Sequence, residues 1–136
     1  MAKVKPQIIV SSQDLHRLES MLEHQSKLTP TMVHLEDELV RAEVVEPQQV
    51  PPNVVSMNAK VLISIAPSTE PKEIHLVYPH DFRGDHGQVN VLAPVGAAIL
   101  GFAEGQEIEW PQPDGHLMRV KIIKVLYQPE REGDYL

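Results

Sequence analysis

Seven residues, Pro47 to Asn53 (PQQVPPN), carry three prolines, and the spacing of apolar residues differs on their two sides. Before them, apolar residues recur at steps of three and four; after them, they alternate. A chain with helical periodicity in its first third and period two beyond it keeps helices and strands in separate stretches, which is the α+β pattern. Proline fixes φ and donates no backbone hydrogen bond, so this stretch reads as a stiff joint and the best candidate boundary. The expected organisation is an N-terminal segment with a helical hairpin over residues 1–46, a linker over 47–53 and a sheet domain over 54–136.

The run SSQDLHRLESMLEHQ opens the first helix. Ser11 and Asp14 have capping-box spacing, and Leu15, Leu18 and Leu22 form one apolar stripe. SKLTPT breaks the pattern, with Pro30 suited to a new helix start and Thr29 or Thr31 to its cap. MVHLEDELVRAEVVE is the second helix, with Leu35, Leu39 and Ala42 on one side and Pro47 as its stop. A short connection implies antiparallel helices of roughly 15 residues, or about 22 Å each.

Beyond the joint, NVVSM, AKVLISIA, EIHLVYP, VNVLA, QEIEW and HLMRVKIIKVLYQ read as strands of a small, mostly antiparallel sheet. Asp114-Gly115 is a hairpin-turn signal. The stretch VLAPVGAAILG admits three readings: a phosphate-gripping loop, a membrane anchor or a short helix. Phosphate binding needs several glycines at the turn, usually with a lysine. Here Pro94 occupies the turn, and no Lys or Arg lies between Val89 and Trp110. The run is also far short of the roughly 20 apolar residues that span a bilayer. A short helix remains, with Gly96, Ala97 and Ala98 allowing close approach to the sheet and Gly101 suited to a left-handed stop.

Charge and composition narrow the function. The formal charge is −7, which argues against direct DNA binding through phosphate neutralisation. Aromatic residues are 4% of the chain, too few for a base-stacking platform. Without cysteine there is no disulfide or thiolate chemistry, and a reducing cytoplasm is the expected location. MAKVKPQIIV lacks the apolar core and cleavage site of a signal peptide. His80, Asp81, Asp85 and His86 crowd one polar loop, without the ligand spacing of a metal site. Ser56 and Ser64 sit in strand patterns, without the context of a nucleophile.

VNVLAPVGAAILGFAEGQEIEW and the later YQPE resemble the C-terminal domain of the Gre transcription factors, whose outline is strand, Ser-Pro, small apolar helix, turn, strand and a last strand ending near a tyrosine. VVSMNAKV, LVYP, VLAPVGAA and the tail LYQPEREGDYL look, in that order, like the Rnk family, the regulators of nucleoside diphosphate kinase, over nearly the whole chain. The resemblance implies an FKBP-like α+β domain carrying a short antiparallel coiled coil. It implies docking on bacterial DNA-dependent RNA polymerase at the secondary channel, through the element that falls on Ala93, Pro94 and Val95; an alanine stands where the Gre outline has serine. In Gre factors, acidic residues at the coiled-coil tip help hold the catalytic Mg²⁺ for transcript cleavage. Here the tip is Lys27, Leu28, Thr29 and Pro30, and the turn HQSKLTPTMVH contains no Asp or Glu. Glu36, Asp37 and Glu38 follow it and read as a solvated face with a secondary role against basic polymerase surface. The expected function is a non-enzymatic, cytoplasmic transcription regulator that competes with Gre-type factors without stimulating cleavage. It needs no cofactor, metal or membrane; the family name also implies an effect on nucleoside diphosphate kinase levels, and the residues leave open whether that effect is direct or indirect. The alternatives are an FKBP-like module binding a peptide or small molecule, and a Gre-like cleavage factor.

Overall fold

The structure, a computed structural model, describes residues 7–85, 87–111 and 114–134. Strand β1 (Ile9–Ser11) leads directly into helix α1 (Ser12–Glu23). Ser11 caps α1: its Oγ accepts from the Asp14 N–H at 2.9 Å. The reciprocal half of the capping box does not form, because the Asp14 carboxylate turns into the protein instead. Helix α2 (Pro30–Arg41) begins as expected, with Pro30 in its first turn and Thr29 Oγ1 accepting from the Met32 N–H at 3.2 Å.

Both helices have 12 residues, shorter than the sequence spacing suggests, and are therefore about 18 Å long. The second ends early because Val44 and Val45, β-branched and stiff, leave it for strand β2 (Glu43–Val45). This strand pairs in parallel with β1, Ile9 opposite Glu43. The pairing clamps the start of α1 beside the end of α2, so the hairpin leaves and returns at one base.

The second part contains β3 (Lys60–Ile65), β4 (Lys72–Val77), β5 (Gln88–Asn90), helix α3 (Pro94–Ile99), β6 (Glu107–Pro111), β7 (Leu117–Tyr127) and helix α4 (Pro129–Glu132). The sheet order is β5-β4-β3-β7-β6. Its pairs are antiparallel except β4–β5, which run parallel. Alternation is clear in β7, where Met118, Val120 and Ile122 are buried while Arg119 and Lys121 are exposed. NVVSM does not form a strand. Val54 alone bridges Ala103, and Val55 exchanges backbone hydrogen bonds with Gly101 and Phe102 rather than with a neighbouring strand. VNVLA is strand only to Asn90, where the side chain ends the run: its Oδ1 accepts from the Leu92 N–H at 2.9 Å and turns the chain towards α3.

Hairpin and sheet share one core. Leu18, Leu22, Met32, Leu35 and Leu39 join Val61, Ile63, Ile74, Leu76 and Ile122 in a single cluster. Fully burying a leucine contributes roughly 1.5–3 kcal/mol, so Leu18 and Leu35, both completely buried, bind the helices firmly to the sheet. His34 meets Trp110 edge-on, with ring centroids 5.7 Å apart. The proline-rich stretch is likewise held from outside. Residues Pro47–Gln49 form a single 3₁₀ turn closed by Glu46 and Gln49. The Gln128 amide donates to the carbonyls of Pro51 and Val54, both at 2.7 Å. Among the described residues, no helix is long and apolar enough to cross a membrane.

Candidate docking site

The short helix α3 sits against the sheet because residue 96 has no side chain. A Cβ on Gly96 would lie 2.5 Å from the Asn90 carbonyl oxygen and 3.0 Å from Val91 Cα, both backbone atoms that cannot give way cheaply. Gly96→Ala is expected to lower stability by about 2 kcal/mol, the middle of the overpacking range, measured by urea denaturation; a wild-type midpoint would show that α3 shifts freely. At the other end, Gly101 has φ +82°, and Ile9 of β1 donates to its carbonyl at 3.1 Å. The left-handed stop expected there is present, and it also seats the N-terminal strand.

This placement leaves Ala93, Pro94 and Val95 half-buried at the head of the helix. They do not form an isolated knob. They make one wall of an open groove of about 420 Å³, whose floor is Ile63, Ile74, Val89 and Met118. Phe82, 37% exposed, and Lys72 line it as well. Lys72 is exposed and makes no ion pair among the described residues. The groove is therefore apolar with one cation on its lining, a shape that accepts a bulky apolar side chain. Ala93, at the N-cap, offers no hydroxyl, and α3 starts without a side-chain cap, directly after the Asn90 turn.

The tip residues Lys27, Leu28, Thr29 and Pro30 are all exposed. Thr29 is spent on capping α2, and Lys27 is the charged residue of the four. Of the acidic trio beyond the tip, Glu36 and Asp37 are exposed as expected. Glu38 is not part of a solvated face: it is 6% exposed and accepts from Arg41 Nη2 at 2.9 Å. One helical turn separates the two, so the pair closes along α2 while Leu35 and Leu39 beside it enter the core. Tip and groove lie on different elements, α1–α2 and α3 with the sheet, and the structure does not bring them together into one site.

Between them runs a polar tie that sequence reasoning missed. Asp14 of α1, 4% exposed, accepts from the Met57 N–H at 3.1 Å and the Tyr78 hydroxyl at 3.3 Å. Next to it Glu130 accepts from Ser56 Oγ at 2.6 Å. Burial first, and the Glu130 charge second, push the Asp14 carboxyl up from 3.8 to about 6, against the pull of its two hydrogen bonds. Burial also raises the Tyr78 phenol, which stays a donor. In the sequence Asp14 carries the signature of an exposed capping residue; only its partners 43 and 64 positions away reveal the other role. Phe82 had a weaker cue, as an aromatic residue within a turn-rich loop. In that loop His80, Asp81 and Asp85 are exposed, and His86 lies outside the described residues.

A family model described as the C-terminal part of the transcription elongation factors GreA/GreB matches residues 50–127, and a model of the Rnk N-terminus matches residues 6–45. The chain is 36% identical over 133 residues to the regulator of nucleoside diphosphate kinase of Escherichia coli K12, covering 97% of this chain and 98% of that one. It is 32% identical over 106 residues to the transcription elongation factor GreA of Thermodesulfovibrio yellowstonii, covering 78% of this chain and 66% of that protein. A solved structure, the prokaryotic transcription elongation factor GreA/GreB from Nitrosomonas europaea, matches with a TM-score of 0.74 at 48% identity, over 90% of this chain and all of that one. These relatives are named as regulators and factors. On this similarity, which runs through both the hairpin and the sheet, the chain belongs to the Rnk family of regulators of nucleoside diphosphate kinase, with a C-terminal domain of the GreA/GreB type.

Proposed function

We propose that this protein is a transcription regulator that binds bacterial RNA polymerase near the secondary channel, seats the groove beside Pro94 on the enzyme and competes there with Gre-type factors without stimulating transcript cleavage. The observation that carries the docking is the groove itself. The residues matching the Gre docking element, Ala93, Pro94 and Val95, line an open apolar cleft with an unpaired Lys72 among the described residues. FKBP-like geometry and a coiled coil belong to the same reading. The cleft's volume also suits a small molecule, but Phe82 is the one aromatic side chain on its lining among the described residues, which favours a protein side chain over a flat ligand.

The absence of cleavage is supported by the hairpin. Two helices of about 18 Å, packed on the sheet, give little reach. Their tip offers Lys27 where Mg²⁺ would require carboxylate oxygen, and a lysine beside Mg²⁺ repels it. With stalled, backtracked complexes on an RNA gel, this protein alone should leave transcripts intact. Added beside a Gre factor, it should reduce that factor's cleavage. Shortened transcripts from this protein alone would return it to the cleavage-factor class. Unchanged Gre cleavage at saturating protein would remove the competition.

A further inference from the structure

Strand β4 breaks the pattern of the sheet at one position. Along its covered face stand Lys72, Ile74 and Leu76; the last two are buried, and the lysine is exposed. In the antiparallel register Lys72 lies opposite Ile63, which is wholly buried, and directly opposed residues share a face. The lysine therefore rises on the side of the sheet that carries the core, where β3 and β7 place Val61, Ile63, Val120 and Ile122. Charge on that face is costly unless it keeps its water. Lys72 keeps it by lining the open groove beside Pro94. Strand β5 meets β4 only from His75 onward, so it does not close that side of the lysine.

The charge has no counterpart. Among the described residues Lys72 makes no ion pair, and no carboxylate lines the groove, although the chain carries 19 Asp and Glu against 12 Lys and Arg. The rest of the lining is largely apolar, with Ile65, Met118, Val95 and the Phe82 ring beside Pro94. An occupant that matches both parts brings a bulky apolar side chain for the cleft and an anion for the lysine. On a protein surface that anion is the carboxylate of Asp or Glu.

We propose that the segment received by this groove is acidic as well as apolar: a Leu, Met or aromatic side chain enters the cleft lined by Pro94 and Phe82, and an Asp or Glu beside it in the partner pairs with Lys72. This rests on RNA polymerase docking through the same groove. The apolar contact supplies most of the affinity, and the lysine selects, because a basic residue in place of the acid is repelled.

Two measurements test it. In the first, 4-phenylbutyrate and 4-phenylbutylamine, which share their apolar part and differ in the sign of their charge, are titrated into the full chain at neutral pH, with amide NMR shifts as readout. The carboxylate should bind with a Kd of about 1 mM, typical of a ligand this small, and shift residues around Lys72, Phe82 and Pro94. The amine should bind at least about tenfold more weakly, and Lys72→Gln should remove the difference. In the second, Lys72→Gln should weaken binding to core RNA polymerase about threefold, as for an exposed pair, and Lys72→Glu about tenfold. Both losses should shrink between about 50 mM and about 300 mM salt, whereas the loss in Pro94→Asn should not. Thermal melting checks that each variant folds. If Pro94→Asn loses affinity while both Lys72 variants bind like wild type, or if the amine binds as tightly as the carboxylate, this inference is overturned, the docking stands, and Lys72 only guards the free edge of β4. Unchanged polymerase affinity in Pro94→Asn and in both Lys72 variants overturns the docking itself, and this inference with it.

Discussion

Pro94→Asn is expected to lower affinity for core RNA polymerase at least tenfold while leaving the fold intact. The proline ring is half-buried and forms part of the groove wall, with φ pre-set for the first turn of α3. Asparagine keeps the helix start but adds an amide to an apolar cleft. Covered by a partner without a matching acceptor, that amide costs about 1–3 kcal/mol, and each 1.4 kcal/mol is about tenfold in Kd. Stability should suffer less, because losing proline's restriction of the unfolded chain costs only about 0.4–1 kcal/mol. Phe82→Ser, on a different lining element, should weaken binding in the same direction. Binding is measured with purified core polymerase and folding by thermal melting. A variant that melts like wild type and binds with unchanged affinity would show that the docking surface lies elsewhere on the chain.

The contrast between groove and tie explains what could be read from the sequence. The helix starts at Ser11 and Thr29 were legible because a cap is a local device, complete within four residues. So was the small-residue packing of α3, since the Pro-x-Gly-Ala-Ala run has few other uses. Strand β2 was hidden because Glu43, Val44 and Val45 continue a helical pattern and become a strand only through their partner β1, more than 30 positions away. The same applies to the linker. PQQVPPN looks free until Gln128, at the far end of the sheet, supplies an amide to two of its neighbouring carbonyls. Glu38 shows the limit at single residues: three consecutive acids look alike, and only the packing of Leu35 and Leu39 decides which one faces inward. Ala93, Pro94 and Val95 were singled out by resemblance alone, and the groove they line needs Phe82 and Lys72 from elsewhere in the chain.

The largest stability effect should come from Asp14. Its folded-state pKa, about 6, lies above its unfolded value of 3.8, because burial penalises the charged form. The ionised carboxylate therefore favours the unfolded chain. This group's contribution is fully present below pH 3.8, falls as pH rises towards 6, and stays lost above it. A shift of about two units corresponds to roughly 3 kcal/mol at neutral pH. Asp14→Asn removes the charge and keeps a carbonyl to accept from the Met57 N–H, with an amide to offer the Tyr78 oxygen. At pH 7.5 the variant is expected to be more stable than wild type, by up to that roughly 3 kcal/mol less any hydrogen bond it makes poorly. The advantage should shrink steadily as pH falls and vanish near pH 4. Asp14→Ala separates charge from contact. It also removes the charge but leaves the Met57 N–H and Tyr78 O–H buried without their acceptor, so at pH 4 it should be less stable than wild type by about 2 kcal/mol or more. Urea melts of the three proteins at pH 4, 5, 6 and 7.5 measure both effects. A constant difference between wild type and Asp14→Asn across that range would mean that the carboxyl titrates alike in the folded and unfolded chain, and that the tie between hairpin and sheet carries no buried charge.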